Sequence, residues 1–381
     1  MRNAGCYSPT VWHRTLAGYS DSPVGSSEPI APDPGRLIVA LRQIGYSLEQ
    51  ALSDLIDNAL SAGATNVLIR FLWTGERIVG VAVVDDGAGM DAAQLRNAMR
   101  FGSAARVDHT SLGKFGLGLK LSSFSHARTL VVISRREGLT VGRRWTLAGI
   151  RRHWDCDIVK ESQAAALIDA PWSPIDLRVS GTVVLWNDID KLPVSGRGLR
   201  YTLNALHRRL ELHLGLHFHR FIQRGVLSIH IDQQEQGEPE HQIRATVPAL
   251  DPFGYGVAPL EGYPRTFVMH LAGVGEIPLD CHLWPPNSDR PEYRLGNRAA
   301  ARQGFYFYRN RRLIQAGGWN GLLQNDAEPH ASLARVRIDL PPSFDDRFSL
   351  NVQTGKPSER RRRELARINR ILLAAAALEQ G

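Results

Sequence analysis

Cysteine is scarce in this chain: Cys6, Cys156 and Cys281 stand far apart and form no CxxC pair. That argues against a disulfide framework and against a zinc site of paired cysteines, and it fits a reducing cytoplasm. Long apolar runs are missing too. No stretch approaches the ~20 consecutive apolar residues of a membrane span. The start, Met1-Arg2-Asn3-Ala4-Gly5, is followed by no apolar core of a secretory signal. A cytoplasmic protein with no membrane partner is therefore expected. No internal repeat is visible. His207, His213, His217 and His219 crowd one segment, but the Glu of a metalloprotease helix is absent between His213 and His217, so packing or snorkelling histidines are expected there.

The chain has 381 residues, enough for two domains of ~100–200 residues each. Hydrophobic residues make up 43% and charged residues 22%, the balance of a protein with a buried core. Net charge is +8 and unevenly spread: Arg100–Arg152 holds eleven Lys and Arg against two acids, Asp108 and Glu137. Such a window suits a polyanion, either nucleic acid or nucleotide phosphates, and is equally compatible with a solvated basic face.

Residues 15–35 are rich in Pro, Ser and Gly and predict an arm covering 1–35. From Arg36 to Ala62, apolar residues recur at helical spacing, with a break near Gly45. Val67–Phe71, Ile78–Val84, Leu130–Ser134 and Thr182–Trp186 read as strands, giving a layered sheet with helices on one face. Leu199–Phe221 reads as a helix, and 226–345 as many short strands, among them Gly304–Tyr308 leading to a turn at Arg309–Arg312. Composition shifts near 190–196, so the expected units are a first domain at 36–192, a second at 193–358 and a basic helix at 359–381. Arg360–Arg363 on that helix could meet phosphate backbones or simply be solvated. Trp319 is open between a loop anchor and a contact residue.

Three motifs carry chemistry. In Asp54-Leu55-Ile56-Asp57-Asn58, positions four apart share a helix face, pairing a carboxylate that can orient water with an amide oxygen suited to Mg²⁺. Asp85-Asp86-Gly87-Ala88-Gly89-Met90 follows a strand. Its carboxylate can accept a hydrogen bond from an exocyclic amine, and its glycines let the backbone pass close to a flat ring. In Gly113-Lys114-Phe115-Gly116-Leu117-Gly118-Leu119-Lys120, glycines at a helix start can expose N–H groups to phosphate oxygens, with Lys120 one turn in. Each alone is weak, since Asp, Asn and Gly are common on surfaces and in turns. Their order and even spacing, 27 residues from Asn58 to Asp85 and 28 from there to Gly113, make coincidence improbable.

In this order the motifs resemble the GHKL ATPases, which include type II topoisomerases, histidine kinases, large heat-shock chaperones, MutL and MORC. Gly181-Thr182 matches the family's fourth element, a Gly-Thr strand. The resemblance implies an α/β fold: a Bergerat-type α/β sandwich holding ATP and Mg²⁺, with the segment before Gly113 as a lid. It assigns Mg²⁺ to Asn58, adenine to Asp85 and Thr182 beside Gly87, Gly89 and Met90, and phosphates to Gly113, Gly116, Gly118 and Lys120. Asp54 stands where the family has its water-activating Glu. It is one methylene shorter, and a misplacement of ~1 Å can cost on the order of 10²-fold in rate.

Asn351–Lys356 resembles the transducer segment of MutL and gyrase that returns a lysine to the γ-phosphate, and Lys356 matches that lysine. Phe305–Ile314 is similar to the strand–turn–strand of MutL and MORC transducer domains, an α+β unit. The resemblance implies ATP-driven lid closure, a homodimer, duplex DNA as a partner and a separate effector such as a nuclease. Stand-alone bacterial members of this kind resemble parts of restriction or antiphage systems. Two other readings stay open: a nucleotide-gated dimerising module with little hydrolysis, and a chaperone-like ATPase with a protein client.

Overall fold

The computed structural model describes residues 28, 32–43, 45–102, 118–194, 196–238, 241–256, 262–271, 275–320 and 333–341. Most of the expected arm at 1–35, with Gly113, Gly116, Lys356 and the expected helix at 359–381, lies outside the described residues.

Helix starts are set by side chains that satisfy orphan N–H groups. Asp33 accepts from the N–H of Arg36 at 2.7 Å and Pro34 fills the first turn of α1, Pro34–Arg42. Ser47 and Gln50 form a reciprocal capping box at the start of α2, Leu48–Ser61. Between them Gly45 has φ +82°, which accounts for the break expected there. The chain continues through β1 (Asn66–Thr74), β2 (Arg77–Asp85), α3 (Ala92–Met99), α4 (Gly118–Phe124), β3 (Ala127–Arg136), β4 (Leu139–Thr146) and α5 (Leu147–His153). Then come β5 (Cys156–Ile158), α6 (Glu161–Ile168), β6 (Gly181–Ile189), α7 (Leu199–His217), α8 (His219–Gln223), β7 (Ser228–Glu235) and β8 (His241–Thr246).

All eight of these strands form one sheet in the order β5-β4-β3-β6-β2-β1-β7-β8. One face, carrying Ile69, Val83, Val132 and Val184, packs beneath Leu52 and Ile56 of α2, Leu121 and Phe124 of α4 and Leu206 and Leu210 of α7. The opposite face is covered as well. Val84, Ile133 and Val183 pack against Ala164 and Ile168 of α6 and against Trp172. The expectation of helices on one face is thereby corrected. Val81–Val84 is an unbroken apolar run, the mark of a strand buried on both sides.

The division expected near residues 190–196 also differs from the structure. Strand β7 lies parallel to β1, from Asn66 opposite Ser228 to Trp73 opposite Glu235, and β8 extends the same sheet. Ile229 and Ile231 join the same core, where β7 meets α7, so the first sheet reaches past residue 240. The sequence shift at 190–196 falls in the connection between β6 and α7. The strand partners are set by burial over a long sequence separation.

A second sheet, in the order β12-β11-β13-β10-β9, is built from β9 (Arg265–Leu271), β10 (Gly275–Leu283), β11 (Gly304–Arg309), β12 (Arg312–Ala316) and β13 (Ala334–Leu340), with the short helix α9 (Pro291–Arg294) beside it. Side chains alternate along β11. Phe305 and Phe307 face Val336 and Ile338, while Tyr306 and Tyr308 face Leu216 of α7. Helix α7 thus contributes Leu210 to one core and Leu216 to the other and joins the two sheets. Trp319 is a loop anchor: it is buried and its indole donates to Gln303 Oε1 at 2.9 Å. Among the described residues, no helix is long and apolar enough to cross a membrane.

Candidate nucleotide site

The Asp85 loop is clasped to the end of α2. Asp86 Oδ1 accepts from the N–H groups of Thr65 and Asn66 at 2.7 and 2.9 Å, and Oδ2 from their side chains at 2.9 and 2.8 Å. Burial pushes the Asp86 carboxyl up, but these four donors outweigh it and hold it below the usual range. The N–H of Ala88 donates to Ala62 O at 2.9 Å. Two motifs far apart in sequence are thereby held side by side.

Asp85 has no such shell. It accepts from the N–H of Gly87 at 3.0 Å, and burial, helped by neighbouring Asp86, pushes its carboxyl up to about 7. Across the sheet Asp85 pairs with Thr182, which pairs in turn with Ser134. This polar row lies two residues beyond the apolar row Val83–Val184–Val132 and so shares its face, the one covered by α2 and α4. Ser134 Oγ lies 2.9 Å from Thr182 Oγ1 and accepts from the N–H of Met90 at 2.8 Å, which fixes the loop against the strands. Gly89 has φ +66°, and a Cβ there would lie 1.8 Å from Arg135 O. Only glycine permits that approach.

On α2, Asn58 is exposed while Asp54 is half-buried one turn earlier. Burial and then the charge of Asp57 push the Asp54 carboxyl up to about 7, against the opposing influence of Tyr46 and Arg312. A Cβ on Gly118 would lie 3.7 Å from Asp54 Oδ2, so the first residue of α4 faces this carboxylate. Lys120 is buried, and its ammonium donates to Ala98 O at 2.8 Å. Burial lowers its pKa to about 8.

The structure therefore groups Asp85, Gly87, Gly89, Met90 and Thr182 in the loop clasped to the chain after α2, and sets Gly118 beside Asp54 on α2, with Asn58 exposed one turn further along that helix. It turns Lys120 toward α3. Gly113, Gly116 and Lys356 lie outside the described residues. Among the described residues, no group of three His, Cys, Asp or Glu side chains gathers as a metal cage. Asn58 offers a hard oxygen of the kind Mg²⁺ accepts beside phosphates and waters, so the donors present fit a site shared with a nucleotide.

Sequence reasoning missed Ser134, whose signal was a polar residue ending the apolar run Leu130–Ile133. It also missed Arg312. Arg312 Nε meets Asp57 Oδ1 at 3.0 Å from the second sheet, with both side chains largely buried. A cavity of about 500 Å³ lies there, between α2, α7 and β12, lined among others by Tyr46, Asp54, Asp57, His213 and Arg312. The histidines pack, as expected: His213 and His217 stack with centroids 3.9 Å apart, and His213 Nε2 lies 3.2 Å from Ser53 Oγ. Burial, then nearby Arg312, lowers His213 to about 3, so it is neutral.

Residues 46–182 match the family of histidine kinase-, DNA gyrase B-, and HSP90-like ATPases, so the chain carries a domain of the GHKL ATPase class. Within that class it is similar to MORC and MutL proteins. It is 32% identical to ATPase morc-1 of Caenorhabditis elegans over 90 residues, 23% of this chain and 10% of that protein. It is 33% identical to human ATPase MORC2 over 92 residues, 23% of this chain and 9% of that protein. It is 34% identical to the DNA mismatch repair protein MutL of Rhizobium johnstonii over 102 residues, 26% of this chain and 17% of that protein. Each match thus spans a small fraction of the relative. The crystal structure of the N terminal domain of a DNA repair protein has the same fold: it covers 91% of this chain and 98% of its own, with TM-score 0.52 at 16% identity.

Proposed function

We propose that this chain binds ATP with Mg²⁺ on the α2/α4 face of the large sheet and hydrolyses it to drive a conformational cycle. The observation that carries this reading is the clasp at Asp86, which ties the loop of the buried Asp85 to the chain directly after α2, the helix that carries Asp54 and Asn58. Asp85, supported by Thr182 and Ser134, accepts from the adenine amine, with Gly87, Gly89 and Met90 lining the ring. Asn58 holds Mg²⁺, which when bound neutralises phosphate charge. Gly113, Gly116 and Gly118 offer N–H groups to the phosphates. Lys120 joins them by exchanging Ala98 O for a phosphate oxygen. Asp54 orients the attacking water and takes its proton. A carboxyl with a pKa of about 7 suits a base working near neutrality. Lys356 would enter from the transducer-like second unit.

Duplex DNA is the proposed partner, supported by the basic window Arg100–Arg152 and by the MutL and MORC relatives. ATP would close the lid and join two protomers, with a separate effector such as a nuclease in a restriction, antiphage or repair-like setting in the cytoplasm. The shorter Asp54 favours one other reading, a nucleotide-gated switch with slow turnover.

Steady-state ATP hydrolysis with and without duplex DNA, beside Asn58→Ala, tests the proposal. Turnover raised by DNA and lost in the variant is expected. ATP binding through Asn58 without turnover would leave the switch, and turnover indifferent to DNA would remove the DNA coupling. A protein that stays monomeric with a non-hydrolysable ATP analogue would remove the dimer step.

A further inference from the structure

Asp57 is next to Asn58 in sequence, yet its partner lies 255 residues away. The Arg312 guanidinium reaches it from the start of β12 and is itself fixed on three sides. Nη1 donates to Leu313 O at 2.6 Å and to His217 O at 3.4 Å, and the group lies 4.0 Å from the Phe218 ring centroid. Side-chain exposure is 8% for Arg312 and 13% for Asp57, so the pair is shielded from the solvent that makes exposed ion pairs weak. One guanidinium therefore joins the helix of the candidate Mg²⁺ ligand, the α7–α8 corner and the second sheet.

We propose that Arg312 is a positioning residue: by gripping Asp57 it orients α2 from the second sheet and so places Asn58 and Asp54 for the phosphate end of a bound nucleotide. The inference rests on the ATP reading above. An Arg fork held by backbone carbonyls and an aromatic face has little freedom, so it transmits the position of β12 to α2 as a rigid strut would. The adenine end of the site, Asp85 with Thr182 and Ser134, stands on β2, β6 and β3, and among the described residues no hydrogen bond joins it to this pair. Loss of Arg312 should thus separate the two ends of the ligand.

The test is equilibrium binding of a non-hydrolysable ATP analogue with Mg²⁺, and of adenosine without it, to the full chain and to R312Q, R312K, D57N and D57N/R312Q. Affinity for the Mg²⁺ complex is expected to fall about tenfold in R312Q and in D57N, about 1.4 kcal/mol. The double variant should be no worse than either single one. Adenosine binding should hold, and R312K should recover most of the loss. If R312Q does not fold, D57N and R312K carry the comparison. An unchanged Mg²⁺-complex affinity, or an equal loss of adenosine, would overturn the role of Arg312 while leaving the ATP reading intact. A wild-type protein that binds neither ligand overturns both.

Discussion

Arg70 and Asp232 stand opposite each other on parallel strands β1 and β7, joined by two hydrogen bonds of 2.8 Å although 162 residues separate them in sequence. Both are essentially buried, and Arg70 also donates to Pro171 O at 2.8 Å and lies 5.2 Å from the Trp172 ring centroid. Removing either partner strands a buried charge, which costs more than the pair contributes. Asp232→Asn should lower unfolding free energy by about 3–5 kcal/mol. Replacing Arg70 by Met and Asp232 by Leu together should cost less than the single change. Urea unfolding followed by circular dichroism reads both, and equal losses would refute the argument.

The Asp85 carboxyl gives stability a pH signature. Its folded pKa is raised to about 7, mainly by burial, so the folded state holds this proton more tightly than the unfolded chain. From pH ~4 to ~7 its contribution to stability therefore falls as pH rises. Asp85→Asn should remove that dependence. The variant should be more stable than wild type above pH ~7, by at most about 4 kcal/mol, and no more stable near pH ~4. Thermal melts across this range decide it, and a gain that grows on acidification would contradict it. Affinity for ATP should fall in the same variant.

Gly89→Ala forces a side chain onto φ +66° and drives Cβ to 1.8 Å from Arg135 O. The loop has to move, at a cost of about 1–3 kcal/mol for the backbone alone. The Met90 N–H would then leave Ser134. A lower melting temperature and weaker ATP-analogue binding are expected together, and a variant with wild-type binding would show that this loop does not touch the nucleotide.

Asp54→Asn keeps the shape of the side chain and removes the base. Turnover should drop on the order of 10²–10⁴-fold while analogue binding persists. Hydrolysis assays beside isothermal titration separate these, and unchanged turnover would assign the base elsewhere.

The candidate site was legible because its parts are local. Asp54 and Asn58 share a helix face by spacing alone, and Asp85 follows an apolar strand whose end is visible in the sequence. What brings them together was less visible: Asp86 reads as a turn residue until Thr65 and Asn66 are seen to donate to it. Lys120 was placed by motif spacing, but spacing does not show that its ammonium turns to Ala98. Pairings such as Asp57–Arg312 and β1–β7 leave no local trace, since burial between distant segments determines them.

The parallel joining of β1 to β7 bears on how the chain is made. Until residues 228–246 have left the ribosome, β1 is an open edge carrying Val67, Ile69 and Phe71 and an unpaired Arg70. A fragment cut at residue 192 would keep every nucleotide-contacting residue proposed on the first sheet, yet expose that edge to other copies. Such a piece should aggregate during synthesis, whereas one extended past Val247 should remain dispersed.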